Sequence, residues 1–152
     1  MTPVARIMAL LPALWAGVLL CVAGLATPAP FAVLDKAAAG QVVGHIFARE
    51  APLSLLLGMA LLLAARRSAL ARAVWGQGSQ FSLDMGLALG TLVCTVLGYY
   101  VLQPMMELAR QGQQGALSFG QLHGLSFSLF GLKIVLVLVL AWRVGPVVAS
   151  RS

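Results

Sequence analysis

Apolar positions gather into four runs along this chain, and the polar positions fall between them. Residues 7–26 carry no charge and directly follow Arg6. Residues 85–106 are also free of charge, with an apolar core that ends near Leu102. Residues 122–142 carry one charge, Lys133. A bilayer-spanning helix needs about 20 mostly apolar residues, and these three runs meet that length. The remaining run, 51–65, is too short alone; extended back through Glu50 and Arg49 to His45 it spans, with Arg49 and Glu50 in a polar outer turn. The pattern therefore predicts an all-α integral membrane protein: one domain, residues 1–152, holding a four-helix transmembrane bundle with helices at about 7–26, 45–65, 83–102 and 122–142. The segment 27–41 reads as an irregular stretch after Pro28 and Pro30 followed by a short helix in DKAAAGQ, and MMELAR as a separate helical piece after Pro104.

Composition sharpens this picture. The 152 residues are 61% hydrophobic and 9% charged, against about 25% charged in soluble domains. The first run also resembles a cleavable signal peptide in outline, but its uncharged stretch exceeds the usual h-region, so it reads as a span. The net charge of +6 forms no basic face interleaved with aromatics, which excludes nucleic acid as the partner. With four spans, one side holds Arg6, Arg66, Arg67, Arg72, Arg143 and Arg151, and the other Lys36, Arg49 and Arg110. The positive-inside rule then puts both termini in the cytoplasm and the protein in the plasma membrane, the inner membrane of a bacterium. Tyr99 and Tyr100 fall at the outer interface and Trp142 at the inner one.

Inside lipid, close packing of small residues holds helices together. Gly86, Gly90, Cys94 and Gly98 recur every fourth residue and predict a packing ridge, with Ala13, Gly17 and Cys21 of the first run as a matching strip. Cys21 and Cys94 form no C-x-x-C pair and read as small packing residues. On the last run His123, Ser126, Phe130, Lys133 and Val137 share one helical face, which turns a polar stripe inward. Lys133 either snorkels along its stem or pairs with Asp84 at the start of the third helix. Intramembrane charges raise the prior of a functional site.

Candidate chemistry is sparse. Asp35, Glu50, Asp84 and Glu107 are scattered, and no nucleophile–base set or phosphate loop is visible, so enzyme activity is not expected. His45 and His123 fall at similar depth on the second and fourth helices. Two imidazoles on bundle helices are able to ligate a haem iron, and with a sulfur from Met105 or Met106 they suit copper; His45, His123 and Met105 are the cofactor and metal candidates. Three readings follow: a scaffold or accessory subunit whose partners are the bilayer and other membrane proteins or itself, which is favoured; a haem or copper module; and a small transporter or efflux-related component using the polar stripe.

Three stretches occur in the order found in one family: LWAGVLLCVAGLATPAPFAVL (14–34), GYYVLQPMMELAR (98–110) and FGQLHGLSFSL (119–129). They resemble the small bacterial membrane proteins gathered as domain of unknown function 4149, relatives of the eukaryotic transmembrane protein 205. The most specific part is F-x-x-L-H-x-x-S at Phe119, Leu122, His123 and Ser126. The family often has an asparagine about one turn after the serine, where Phe130 stands here. The resemblance implies a four-helix integral membrane fold and no established reaction.

Overall fold

The computed structural model describes residues 3–76, 79–112 and 115–149, with the side chains of 3–6 and 144–149 left aside. Every regular element among the described residues is helical. Four helical segments are long and apolar enough to cross a membrane: Ile7–Val33, Lys36–Val74, Leu83–Arg110 and Phe119–Arg143. The first joins α1 (Pro3–Cys21), a π-helical turn (Val22–Ala26) and α2 (Ala29–Val33). The second is the single helix α3 (Lys36–Val74). The third joins α4 (Leu83–Thr95), a second π-helical turn (Val96–Val101) and α5 (Leu102–Arg110). The fourth is α6 (Phe119–Ala149).

Prolines account for both π turns. A proline lacks the N–H that an α-helix would give to the carbonyl four residues earlier, and its ring crowds that carbonyl. For Pro28 that carbonyl is Gly24's, and for Pro104 it is Tyr100's; each lies inside a π turn. The extra residue per turn relieves the clash without ending the helix. In the third span the hydroxyls of Thr91 and Thr95 also donate back to the carbonyls of Ala88 and Thr91, at 2.7 and 2.8 Å, which loosens the ladder just before the turn.

Helix ends follow their local sequence. The Asp35 carboxylate accepts from the amides of Ala37 and Ala38 at 2.9 and 3.0 Å and caps α3. DKAAAGQ is thus the first turn of α3 rather than a separate helix, and α3 starts nine residues before His45. Gly76 and Gly112 sit at positive φ just past α3 and α5, the left-handed stop that glycine permits. Ser118 and Gln121 bond reciprocally, backbone to side chain, at 2.9 and 3.3 Å, a capping box that starts α6.

The helices pack in the order α1, α6, α4, α3 around the bundle, and α1 meets α3 only lightly. Towards the termini the interior is dry: Trp15, Ala16, Leu19, Leu61, Ala88, Val137 and Leu140 form one buried cluster. At the other end a smaller cluster of Leu102, Met106 and Leu122 joins α5 to α6. The small-residue ridge is split. Cys94 is buried, while Gly90 and Gly98 face Leu136 and Leu129 of α6, where an added Cβ would lie 3.0 and 3.6 Å away. Gly86 has open space. The proposed partner strip of Ala13, Gly17 and Cys21 is exposed, because α4 packs on α6 and α3 instead of α1. Among the described glycines the tightest site is Gly58 of α3, where a Cβ would meet Leu92 Cδ2 at 2.8 Å.

Candidate functional site

Between the two clusters lies a cavity of about 250 Å³ with walls from all four spans. Ala23, Thr27 and Phe31 come from the first, and Gly40, Val43, Gly44, Phe47 and Glu50 from α3. The third span contributes Cys94, Thr95, Gly98, Tyr99, Gln103, Met106 and Arg110, and α6 contributes His123, Ser126, Phe127, Phe130 and Lys133. Both π turns or the residues that end them border this space. A π turn widens a helix and displaces side chains from α register, which is how Ala23, Thr27, Gly98 and Tyr99 come to face one hollow.

The floor is polar and buried. Lys133 Nζ lies 2.7 Å from Glu50 Oε1, and both side chains are at least 95% buried. Ser54, one turn beyond Glu50, donates to the same Oε1, so one carboxylate oxygen takes two donors. Trp15 Nε1 in turn donates to Ser54 Oγ at 3.1 Å, tying α1 to α3. Lys133 Nζ also reaches Ser54 Oγ at 3.4 Å. The ammonium stands 4.6 Å from the Phe130 ring centroid, and Phe47 meets Phe130 edge-on at 5.1 Å. Cation, carboxylate, hydroxyl and indole thus satisfy each other where they are buried, which is the condition for burying them.

At the mouth, Arg110 lies across the opening. Its guanidinium carbon is 5.1 Å from the Phe119 ring centroid on α6, and its Nη2 is 3.9 Å from where a Cβ on Gly40 of α3 would stand. Phe119 in turn stacks on His123 at 5.9 Å. Arg110 also has Glu107 at 3.8 Å, with both side chains about half exposed. From His123 to Lys133 the cavity wall runs ten residues along α6, about 15 Å. Ser126 donates to the Gly98 carbonyl at 3.3 Å between them. The buried hydroxyl of Thr27 borders the same space and has no hydrogen-bond partner.

Several expectations change here. Lys133 pairs with Glu50, not Asp84, and it does not snorkel; Asp84 pairs with Arg143 at 2.6 Å. The reason is helix register. Arg143 is ten residues beyond Lys133, about 15 Å along α6, and that step reaches the level at which α4 begins. Asp84 therefore leaves the interior stripe and becomes a partly exposed end contact. Glu50 is not in a polar outer turn: α3 begins at Lys36, so Glu50 lies about 21 Å along it, midway to Arg66.

His45 and His123 do not share a site. Within α3 the residues 40, 43, 44, 47 and 50 form the face towards the cavity. His45 belongs with Val42, Ile46, Arg49 and Leu53, which line an open groove of about 630 Å³ against Val18 and Val22 of α1. Met105 is exposed, and its neighbour Met106 is the one that lines the cavity. His45, His123 and Met105 are therefore not a ligand set in this structure, and among the described residues no group of three His, Cys, Asp or Glu side chains is placed to hold a metal ion. Glu50 borders both hollows. Reasoning from the sequence missed Glu50, Ser54 and Trp15. The i, i+4 spacing of Glu50 and Ser54 was the one signal available.

A family model described as Domain of unknown function (DUF4149) matches residues 10–114. The match takes in the stretches 14–34 and 98–110, while F-x-x-L-H-x-x-S on α6 lies beyond it. No curated protein and no solved structure matches the chain.

Proposed function

The chain belongs to the DUF4149 family, a domain of unknown function, and on that premise we propose that it is a membrane-embedded small-molecule-binding protein whose ligand site is the four-walled cavity. One observation carries the reading: a fully buried Glu50–Lys133 pair forms the floor of a cavity that opens beside Arg110 and His123. Replacing a buried ion pair by apolar residues of similar size is often neutral or stabilising. An accessory subunit that merely presents its outer faces has no need of such a floor. Intramembrane ionisable groups in a bundle interior mark ligand or ion sites by default, and pockets between bundle helices are usual ligand sites.

The same proposal sets the protein in a bacterial plasma membrane with both termini in the cytoplasm, supported by six Lys and Arg in the termini-side segments of the sequence against Lys36 and Arg110 on the other side, Arg49 falling in mid-span beside Glu50. The cavity then opens towards the outer leaflet. Exposed Trp75, Phe81 and Trp142 at the termini-bearing end suit the inner interface. Reporter fusions at Gln113 and Ser152 test the topology; opposite compartments are expected, with Gln113 outside.

Native mass spectrometry of the protein released from nanodiscs tests the site. The expected result is a small molecule bound one to one, lost when Gly44→Trp, at a lining position where an added Cβ meets open space, fills the cavity with the variant still folded. A chain free of small molecules in both forms, after reconstitution with a native lipid extract, would remove the ligand reading and return the scaffold.

A further inference from the structure

Which chemistry the cavity accepts follows from its charges and its size. Three charged groups border it: Glu50, Lys133 and Arg110. The first two neutralise each other at the floor with a 2.7 Å contact. Arg110 is the charge at the mouth: its i, i+3 partner Glu107 is 3.8 Å away, half exposed, and does not line the cavity. The site thus has a neutral, apolar deep part and a cationic rim. Arg110 lies over the Phe119 ring at 5.1 Å, and its Nη2 comes near Gly40 of α3, where the missing side chain leaves it room. A guanidinium at the rim is a bidentate donor for a carboxylate.

Between rim and floor the walls are Phe31, Phe47, Phe127, Phe130, Val43 and Met106. Aromatic and thioether groups of this kind suit a flexible hydrocarbon tail. At roughly 30 Å³ for each water-sized group, 250 Å³ holds about eight such groups. That is one short tail, too small for the two chains of a phospholipid. The partnerless Thr27 hydroxyl supplies one further polar contact along the way.

We propose that the ligand is a single-tailed hydrophobic carboxylate of medium length, held by Arg110 at the rim with its tail lying on the Phe47–Phe130 pair towards the Glu50–Lys133 floor. The inference rests on the preceding reading of the cavity as a ligand site. It makes Arg110 the residue that selects anions.

Trp15 offers a readout, because its indole is bonded to Ser54, which touches both floor residues. The full chain in phosphatidylcholine nanodiscs, with the exposed Trp75 and Trp142 replaced by Phe, is titrated with 8-bromooctanoate, whose heavy atom quenches a nearby indole. Saturable quenching of Trp15 is expected. The corresponding bromo-alcohol should need about tenfold more for the same effect, the worth of one charge-assisted contact. Arg110→Gln should bring the carboxylate to the level of the alcohol and leave the alcohol unchanged. Equal half-saturation of acid and alcohol in the parent, or a preference that survives Arg110→Gln, overturns the proposal. Full competition by phosphatidylglycerol nanodiscs would assign the rim to a lipid headgroup and overturn it as well. If the carboxylate fails while a different molecule is displaced by Gly44→Trp, the ligand class falls and the binding site stands. If neither is seen, both fall.

Discussion

The two halves of this bundle are built on opposite plans. Towards the termini, Trp15, Leu19, Ala88, Val137 and Leu140 pack into one buried cluster. Towards the turns at Asp35 and Gly112, the same four spans part around 250 Å³ of space. Hydropathy does not distinguish the halves, since both are mostly apolar. The π turns do: those before Pro28 and Pro104 in the first and third spans both lie in the open half, while Pro12 and Pro52 sit in regular α-helix, and the widened turns carry side chains to the cavity wall. Hollow and solid packing thus arise in one bundle from where the backbone ladder is interrupted. At the boundary between them lies the Trp15–Ser54–Glu50–Lys133 chain of hydrogen bonds.

That boundary is where the comparison breaks most easily. Lys133→Met leaves Glu50 as an unpaired charge in the interior and should cost about 3–5 kcal/mol, measured by denaturant unfolding in mild detergent. Adding Glu50→Leu to the same chain should recover most of the loss. If the double variant stays as unstable as the single one, the pair has a packing role that its charges do not explain. Leu19→Ala, in the solid half, should cost about 2–5 kcal/mol because its neighbours cannot collapse into the space. Val43→Ala, on the cavity wall, should cost well under that; equal losses would mean the cavity closes in the membrane.

Smaller effects sharpen the packing. At Gly58 an added methyl meets Leu92 and Thr91, both buried, so Gly58→Ala should lower stability by about 1–3 kcal/mol. The same change at Gly86, which has open space, should not lower it, and thermal denaturation of the two variants decides whether the close approach lies on α3 as described. The smallest change is at the end contact: Asp84→Asn removes the Arg143 pair, whose side chains are 41% and 30% exposed, and should cost about 1 kcal/mol or less. A larger loss, insensitive to salt, would mean this pair is shielded by lipid headgroups.

Much of the architecture was legible along the chain, and each failure has its own cause. The four spans follow from runs of apolar residues, because length and hydropathy are properties of the chain itself. The second span was placed too short, since Arg49 and Glu50 look like an interface when read without a partner. The inward face of α6 was readable from 3–4 spacing, and Lys133 is indeed buried. Its partner was not readable. Asp84 and Glu50 are both carboxylates within the apolar stretches, and choosing between them needs the relative heights of three helices. The histidines failed for a related reason: depth can be counted along a helix, but the direction in which His45 points depends on which side of α3 meets α1.

What the sequence determined by itself, then, is local. It set the number and length of the apolar helices, the caps at Asp35 and Ser118, the glycine stops at Gly76 and Gly112, and the prolines that follow the π turns. Each of these depends on a residue and its neighbours within a turn or two. Only the tertiary structure decided that Glu50 meets Lys133 across 83 positions, that Ser54 and Trp15 complete their hydrogen bonds, and that Arg110 lies over a hollow floored by that pair. Such contacts depend on how far each helix slides and rotates against the next. In a bilayer those choices are made by small residues such as Gly58, Gly90 and Gly98 and by the need to satisfy buried polar groups, since hydrophobicity itself is indifferent to which apolar faces touch.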